Sequence, residues 1–238
     1  IEQEPSNLLV AGSIPAGGTR YTHRDVGANR ENSDMGTATE YMVWIDCEMT
    51  GLELAIDELV EVAVIITDSE LNILHSGFDI VINPSSAALE HMGEFVTDMH
   101  TKSGLINEIP NGATLADAQA QVLAYINEHV PENSKPPMAG NSIGTDRAFI
   151  DKYMPEVDER LHYRNIDVSP FKELARRWFP RVYFNTPNKD GGHRALADIR
   201  ESIREMDYYR QVMLVPAPGP SSEEASKAAA AMVAKHSI

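Results

Sequence analysis

Three apolar, β-branched runs follow one another closely in this chain: Tyr41 to Cys47, Leu59 to Thr67 and Leu71 to Ile82. Such runs favour strands. Only Asp68-Ser69-Glu70 separates the second from the third, a turn-forming triplet far too short for the crossover that parallel neighbours need. An antiparallel meander is therefore expected there. Beyond it the periodicity changes. Thr114 to His129 carries Leu115, Ala118, Val122, Leu123 and Ile126 at helical spacing, with Thr114 as cap and Asp117 at the third helical position. Pro136 to Ala139 and Tyr163 to Val168 read as short strands. Helical stretches follow them at Asp146 to Tyr153 and Pro170 to Trp178, and a last helix is expected from about Ala195 to Val212. Strands paired locally, then strands alternating with helices, imply an α/β domain built on a mixed sheet.

The 238 residues, 42% of them hydrophobic, suffice for one well-buried core but are few for two full domains. Residues 1–38 mix Gly, Ser, Asn, Arg and Glu without sustained periodicity and are expected to be a disordered or appended leader, with Met35 or Met42 as the native start. One folded domain is expected over residues 39–214. In the tail, residues 215–238, Pro216, Pro218, Gly219 and Pro220 break the chain before an Ala/Glu/Lys-rich run from Glu223 to Lys235 with helical composition. No window reaches the roughly 18 consecutive apolar residues of a membrane span, and no secretory pattern opens the chain. A soluble, cytoplasmic protein is expected. Twenty Lys+Arg against 36 Asp+Glu leave a formal charge of −16, which repels long nucleic acid unless cations are placed locally. Cys47 is the sole cysteine, which rules out an intrachain disulfide; inside an apolar strand it reads as a small hydrophobe rather than a nucleophile.

Asp46 and Glu48 stand at alternate positions of a strand, so both side chains leave one face while Cys47 points the other way. Two carboxylates on one face near the end of an apolar strand are costly unless a cation or hydrogen-bond donors compensate. A solvated strand end would explain them as well as a metal site would. Asp146 opens a helix after the Asn141-Ser142-Ile143-Gly144 junction, where it either faces a site at a strand's carboxyl end or merely complements the helix dipole. In Gly191-Gly192-His193-Arg194-Ala195-Leu196-Ala197-Asp198 a glycine pair precedes His193, and Asp198 lies one turn into the following helix. A histidine there is either a solvated residue or a group that swings toward a substrate.

Together Asp46, Glu48, Asp146, His193 and Asp198 match in order and spacing the set of the DEDDh-type 3′→5′ exonucleases. The stretches Trp44-Ile45-Asp46-Cys47-Glu48-Met49-Thr50-Gly51-Leu52, Gly140-Asn141-Ser142-Ile143-Gly144 and Lys172-Glu173-Leu174-Ala175-Arg176-Arg177-Trp178 resemble those of the oligoribonucleases, over residues 42 to 213. The resemblance implies a ribonuclease H-like exonuclease fold, a mixed sheet of about five strands flanked by helices. It implies removal of 3′ nucleotides from short RNAs, down to dinucleotides, by a two-metal mechanism. Asp46 would bridge both ions, Mg²⁺ or Mn²⁺; Glu48 and Asp198 would complete the site for the attacking water; Asp146 would hold the second ion; His193 would be the general base. Hard oxygen ligands favour those ions over zinc.

By the same resemblance Leu52 would wedge between two bases and Phe95, where many members carry tryptophan, would stack on one of them. Ser142, Arg164 and Ser169 would cap a 5′ phosphate, His100 would help to position the substrate, and Tyr163 would reach a neighbouring subunit's site in a homodimer. On periodicity alone Leu52 and Phe95 are core or loop hydrophobes. From Arg160 to Arg181 six Arg/Lys stand against two acidic residues, Asp167 and Glu173, a local basic excess where phosphate contacts are expected, although Arg176 and Arg177 read rather as a solvated helix face. Three rivals share parts of this pattern: a DNA proofreading exonuclease, a non-catalytic nucleotide-binding module, and a small-molecule phosphodiesterase whose substrate is itself a two-residue RNA.

Overall fold

The structure, a computed structural model, describes residues 40–188 and 192–236. The leader at 1–38 thus lies outside the described residues, as does Gly191. The elements in chain order are β1 (Met42–Met49), β2 (Leu59–Thr67), β3 (Phe78–Val81), α1 (Ser86–His91), α2 (Glu94–Ser103), α3 (Leu105–Glu108), α4 (Leu115–His129), β4 (Pro137–Gly140), α5 (Gly144–Tyr153), α6 (Pro155–Arg160), β5 (His162–Asp167), α7 (Ser169–Trp178), α8 (Pro180–Tyr183), α9 (Ala195–Met213) and α10 (Ser222–His236). The five strands form one sheet in the order β3-β2-β1-β4-β5. β1 pairs antiparallel with β2 and β2 with β3, whereas β4 runs parallel to β1 and β5 parallel to β4. This is the expected mixed α/β sheet.

Helices cover both faces, which explains why β1 and β2 are apolar almost throughout. Val43, Ile45, Cys47 and Met49 of β1 pack with Val62, Val64 and Ile66 of β2 against α4, α5 and α6, through Val122, Ile126, Phe149, Ile150 and Val157. The alternate residues Met42, Trp44, Ala63 and Ile65 face α7 and α9, through Ala175, Ala195, Ile199, Ile203 and Tyr209. Buried Trp44 keeps its indole N–H satisfied on Thr67 Oγ1 at 3.0 Å. Thr114 caps α4 as expected, its hydroxyl accepting from the Asp117 amide.

One strand is shorter than its composition suggests. Of the run Leu71 to Ile82, β3 retains Phe78–Val81, and Ile73 makes an isolated bridge to Thr67. The Asp68 carboxylate draws in the amides of Glu70 and Asn72, and Leu71 and Gly77 both adopt left-handed backbone (φ 69° and 93°), which interrupts any ladder between them. Helices α1, α2 and α3, between Ser86 and Glu108, have no counterpart in the periodicity: their buried residues number one each, Ala88, His100 and Leu105, too few to print a stripe. The tail run folds as α10, with every described residue exposed.

Candidate active site

β4 is only four residues long and pairs with β1 at Val43 and Trp44, so the carboxyl end of β1 projects past it. The chain leaves β4 through Gly140, where a Cβ would come within 3.0 Å of Ile45 O. It then enters α5, and Asp146 in the first turn fills the vacated edge: its Oδ1 accepts the Cys47 N–H at 3.0 Å. A carboxylate from α5 thereby completes the ladder of β1 while standing beside Asp46 and Glu48. These two point to the α9 side, at positions that continue the buried Met42 and Trp44 face. From the first turn of α9 comes Asp198. Ligand atoms of Glu48, His193 and Asp198 lie within 4.8 Å of one another. The fold thus assembles the five residues singled out from the sequence around the end of one strand.

Electrostatically this is a strained cluster. Burial, and then the charges of Asp146, Asp198, Glu48 and Glu61, hold Asp46 well above the usual carboxylate range. Glu48 is pushed up to about 8, first by burial and then by Asp198, Glu61 and Asp146, with Arg194 acting in the opposite direction. Asp146 rises to about 7 through burial, against the lowering effect of the Cys47 N–H and its own amide. Hard oxygen donors packed so that they resist ionisation fit divalent cations, which would relieve the repulsion directly. His100 adds a second sign. It is fully buried, its Nε2 donates to Met49 O at 2.9 Å, and its Nδ1, 3.9 Å from Glu48 Oε2, has no hydrogen-bond partner.

Around this centre the other candidates fall into two groups. Leu52 and Phe95 are 76% and 81% exposed, so neither is a core residue. The Leu52 loop is rigidly held: buried Asp57 accepts from Thr50 Oγ1 and from the Glu53 amide, both at 2.8 Å, and Tyr153 and Lys152 of α5 donate to the carbonyls of Asp57 and Leu54. Ser142 and Ser169 meet at the carboxyl ends of β4 and β5, their hydroxyls 2.8 Å apart, with both amides donating to Asp167 Oδ1. Ser142 takes left-handed backbone (φ 58°) there. Tyr163 and Arg164 are placed differently. They sit at the amino end of edge strand β5, where Arg164 lines a cleft with Tyr41, Lys135, Pro137 and His162. At about 3.3 Å per residue, Arg164 starts roughly 10 Å from Asp167 along β5, so the single chain does not bring it to the serines.

Sequence reasoning missed Asp57, Glu61, Arg194 and Asp167. A signal existed for Glu61: it is the lone charge in Leu59–Thr67, and a carboxylate at the centre of a two-sided strand requires a partner. Arg194 supplies it at 2.9 Å.

The matches to known proteins agree with this geometry. Residues 43–206 match the family described as Exonuclease. The oligoribonuclease of Leifsonia xyli subsp. xyli is 59% identical over 201 residues, 84% of this chain and 97% of that protein. The oligoribonuclease of Streptomyces griseus is 62% identical over 193 residues, 81% of this chain and 96% of that one. The chain belongs to the oligoribonuclease family. Among solved structures, exonuclease I from Methylocaldum szegediense superposes with a TM-score of 0.54 at 18% identity, over 73% of this chain. The chain spans 41% of that longer protein. Escherichia coli exonuclease I in complex with a dA16 oligonucleotide gives 0.56 at 15% identity, over 73% of this chain and 41% of the other. At such identities these exonucleases share the fold with the oligoribonuclease-like chain.

Proposed function

We propose that this protein is a 3′→5′ exoribonuclease that hydrolyses short RNA oligonucleotides, down to dinucleotides, to 5′-mononucleotides. The observation that carries the reading is the convergence of Asp46, Glu48, Asp146, Asp198 and His193 at the end of β1, in a chain about 60% identical to oligoribonucleases. Two divalent cations, Mg²⁺ or Mn²⁺, would supply charge neutralisation at the phosphoryl group and acidify the attacking water. Asp46 would be shared between them, Glu48 and Asp198 would hold one, and Asp146 the other. The His193 imidazole takes the proton of the water whose oxygen bonds to phosphorus, and the bond to the 3′ oxygen of the preceding nucleotide breaks, that oxygen taking a proton from solvent to leave as the 3′ hydroxyl of the shortened RNA.

Exposed Leu52 and Phe95 offer apolar faces to bases of any identity. Ser142 and Ser169 present hydroxyls to a 5′ phosphate, and His100 braces the substrate wall beside Glu48. Arg164 is the third candidate for that phosphate, its backbone roughly 10 Å from Asp167 along β5. Exposed Tyr163, Trp178 and Phe184, on β5 and on or beside α7 and α8, support a homodimer in which Tyr163 reaches the partner's site. Residues 39–214 form the catalytic domain, with residues 1–38 a leader and 215–238 an appendage. No helix among the described residues is long and apolar enough to cross a membrane, and we place the enzyme in the cytoplasm.

The deciding experiment is cleavage of 5′-labelled RNAs of two to seven nucleotides beside matched DNA, with Mn²⁺, with chelator and with Asp198→Ala. Metal-dependent release of single 3′ nucleotides, fastest on the shortest RNA and abolished in the variant, is expected. Equal turnover of DNA would favour a proofreading enzyme, and metal binding without cleavage a binding module. For the phosphate cap, Arg164→Ala is expected to slow a 5′-phosphorylated dinucleotide more than a heptamer.

A further inference from the structure

His193 occupies left-handed backbone (φ 46°) at the junction that leads into α9, a conformation that costs a non-glycine residue energy and persists only where its surroundings impose it. The constraint is on the next residue. Arg194 donates from Nε and Nη2 to Glu61 Oε1, at 3.1 and 2.9 Å, and from Nη1 and Nη2 to the two carboxylate oxygens of Glu108, at 2.8 and 3.2 Å. The remaining Glu61 oxygen accepts the amide of Ala195, first residue of α9, at 3.1 Å. Glu61 is almost fully buried on β2 and stands directly across from Glu48 in the β1–β2 register. Glu108 ends α3, which follows immediately on the helix that carries Phe95 and His100.

One guanidinium thus ties three pieces together: the central sheet, the start of α9, and the wall that presents Phe95. We propose that Arg194 is a positioning residue that fixes His193 over the carboxylate cluster and couples it to the Phe95 wall, while holding Glu61 out of that cluster. The planar fork is what the task requires, since a lysine ammonium could meet Glu61 but not span both carboxylates with fixed geometry. This inference rests on His193 being the general base. The competing account is that Arg194 only neutralises a buried carboxylate, which would make it a matter of stability alone.

The two accounts diverge in the double variant Glu61→Gln/Arg194→Gln, which removes the buried charge together with its counter-charge. Thermal stability near that of the wild type is expected, with kcat on a short RNA still lowered about 100-fold, the loss associated with a small misplacement of a catalytic group. Arg194→Lys should recover part of kcat. Glu108→Gln, at a half-exposed position, should leave kcat within about threefold and raise KM, because it releases only the Phe95 side of the clamp. Independently of any substrate, amide hydrogen exchange across residues 192–196 should be faster in the Arg194 variants than in the wild type. A double variant with wild-type kcat, or unchanged exchange across 192–196, would overturn the proposal. If the wild-type chain fails to cleave short RNA, the exonuclease reading falls by itself, and the exchange measurement still decides the clamp.

Discussion

At the scale of single residues the site is defined by carboxylates that the fold makes reluctant to ionise. Glu48 rises from its ordinary 4.5 to about 8 and Asp146 from 3.8 to about 7. Between those limits the folded state binds more protons than the unfolded one, so the stability these groups contribute is full below pH 4 and lost as pH rises through 7 and 8. The chelated protein is therefore expected to melt at progressively lower temperature from pH 5 to 8.5 in calorimetric scans. Saturating Mn²⁺ should flatten that slope; at 100 times its dissociation constant a ligand of the native state adds about 2.7 kcal/mol, or roughly 5–10 °C for a chain of this size. Asp46→Asn removes a carboxyl group that burial and its acidic neighbours keep from ionising. It should raise the melting temperature of the chelated protein while lowering cleavage about 100-fold or more, because several kcal/mol of transition-state stabilisation go with the lost ligand. A variant less stable than the chelated wild type would show that the repulsion is not what limits stability.

Among the elements, the relative lengths of neighbouring strands create the site. β4 ends early, β1 continues, and α5 inserts Asp146 where a ladder partner is missing. The loop after β1 obeys a similar constraint. A Cβ on Gly51 would lie 2.4 Å from Asp57 Oδ2, so Gly51→Ala must displace the carboxylate that holds the Leu52 loop. KM for dinucleotides is expected to rise at least several-fold in that variant, with a smaller change on heptamers, measured by single-nucleotide release. Helix α4 lies away from this machinery and offers a control: Thr114→Ala should cost about 1 kcal/mol, lower the melting temperature by about 2–4 °C and leave cleavage unchanged.

For the molecule as a whole, a formal charge of −16 must coexist with an anionic substrate. Cations bound at the carboxylate cluster reconcile the two over a few nucleotides, whereas a long strand would meet acidic surface beyond the site. This agrees with short RNA oligonucleotides as substrates. The tail is another whole-molecule matter. Since every described residue of α10 is exposed, removing the chain after Val215 is expected to leave melting temperature, sedimentation and cleavage as they are; a changed sedimentation coefficient beyond that of the lost mass would assign the helix a role in assembly.

How far the sequence alone reaches can be judged residue by residue. Strands β1, β2, β4 and β5 and helices α4, α5, α7 and α9 were legible to within a few residues; β1, β2, α4 and α9 each bury an apolar stripe whose period survives in one dimension. The five candidate residues could be picked out as a set through the resemblance of their motifs to those of the exonucleases, because taken singly each carboxylate, and His193 too, reads equally well as a solvated or capping group. The failure of Leu71 to Gly77 to extend β3 is local, set by the Asp68 turn and by left-handed backbone at Leu71 and Gly77. Two things were decided only by tertiary structure. Whether Leu52 and Phe95 are core or surface depends on what packs over them. And the pairing of Glu61 with Arg194, 133 residues apart, exists only once α9 has folded back onto β2: composition shows that a buried charge requires a partner, but distance in space decides which one it finds.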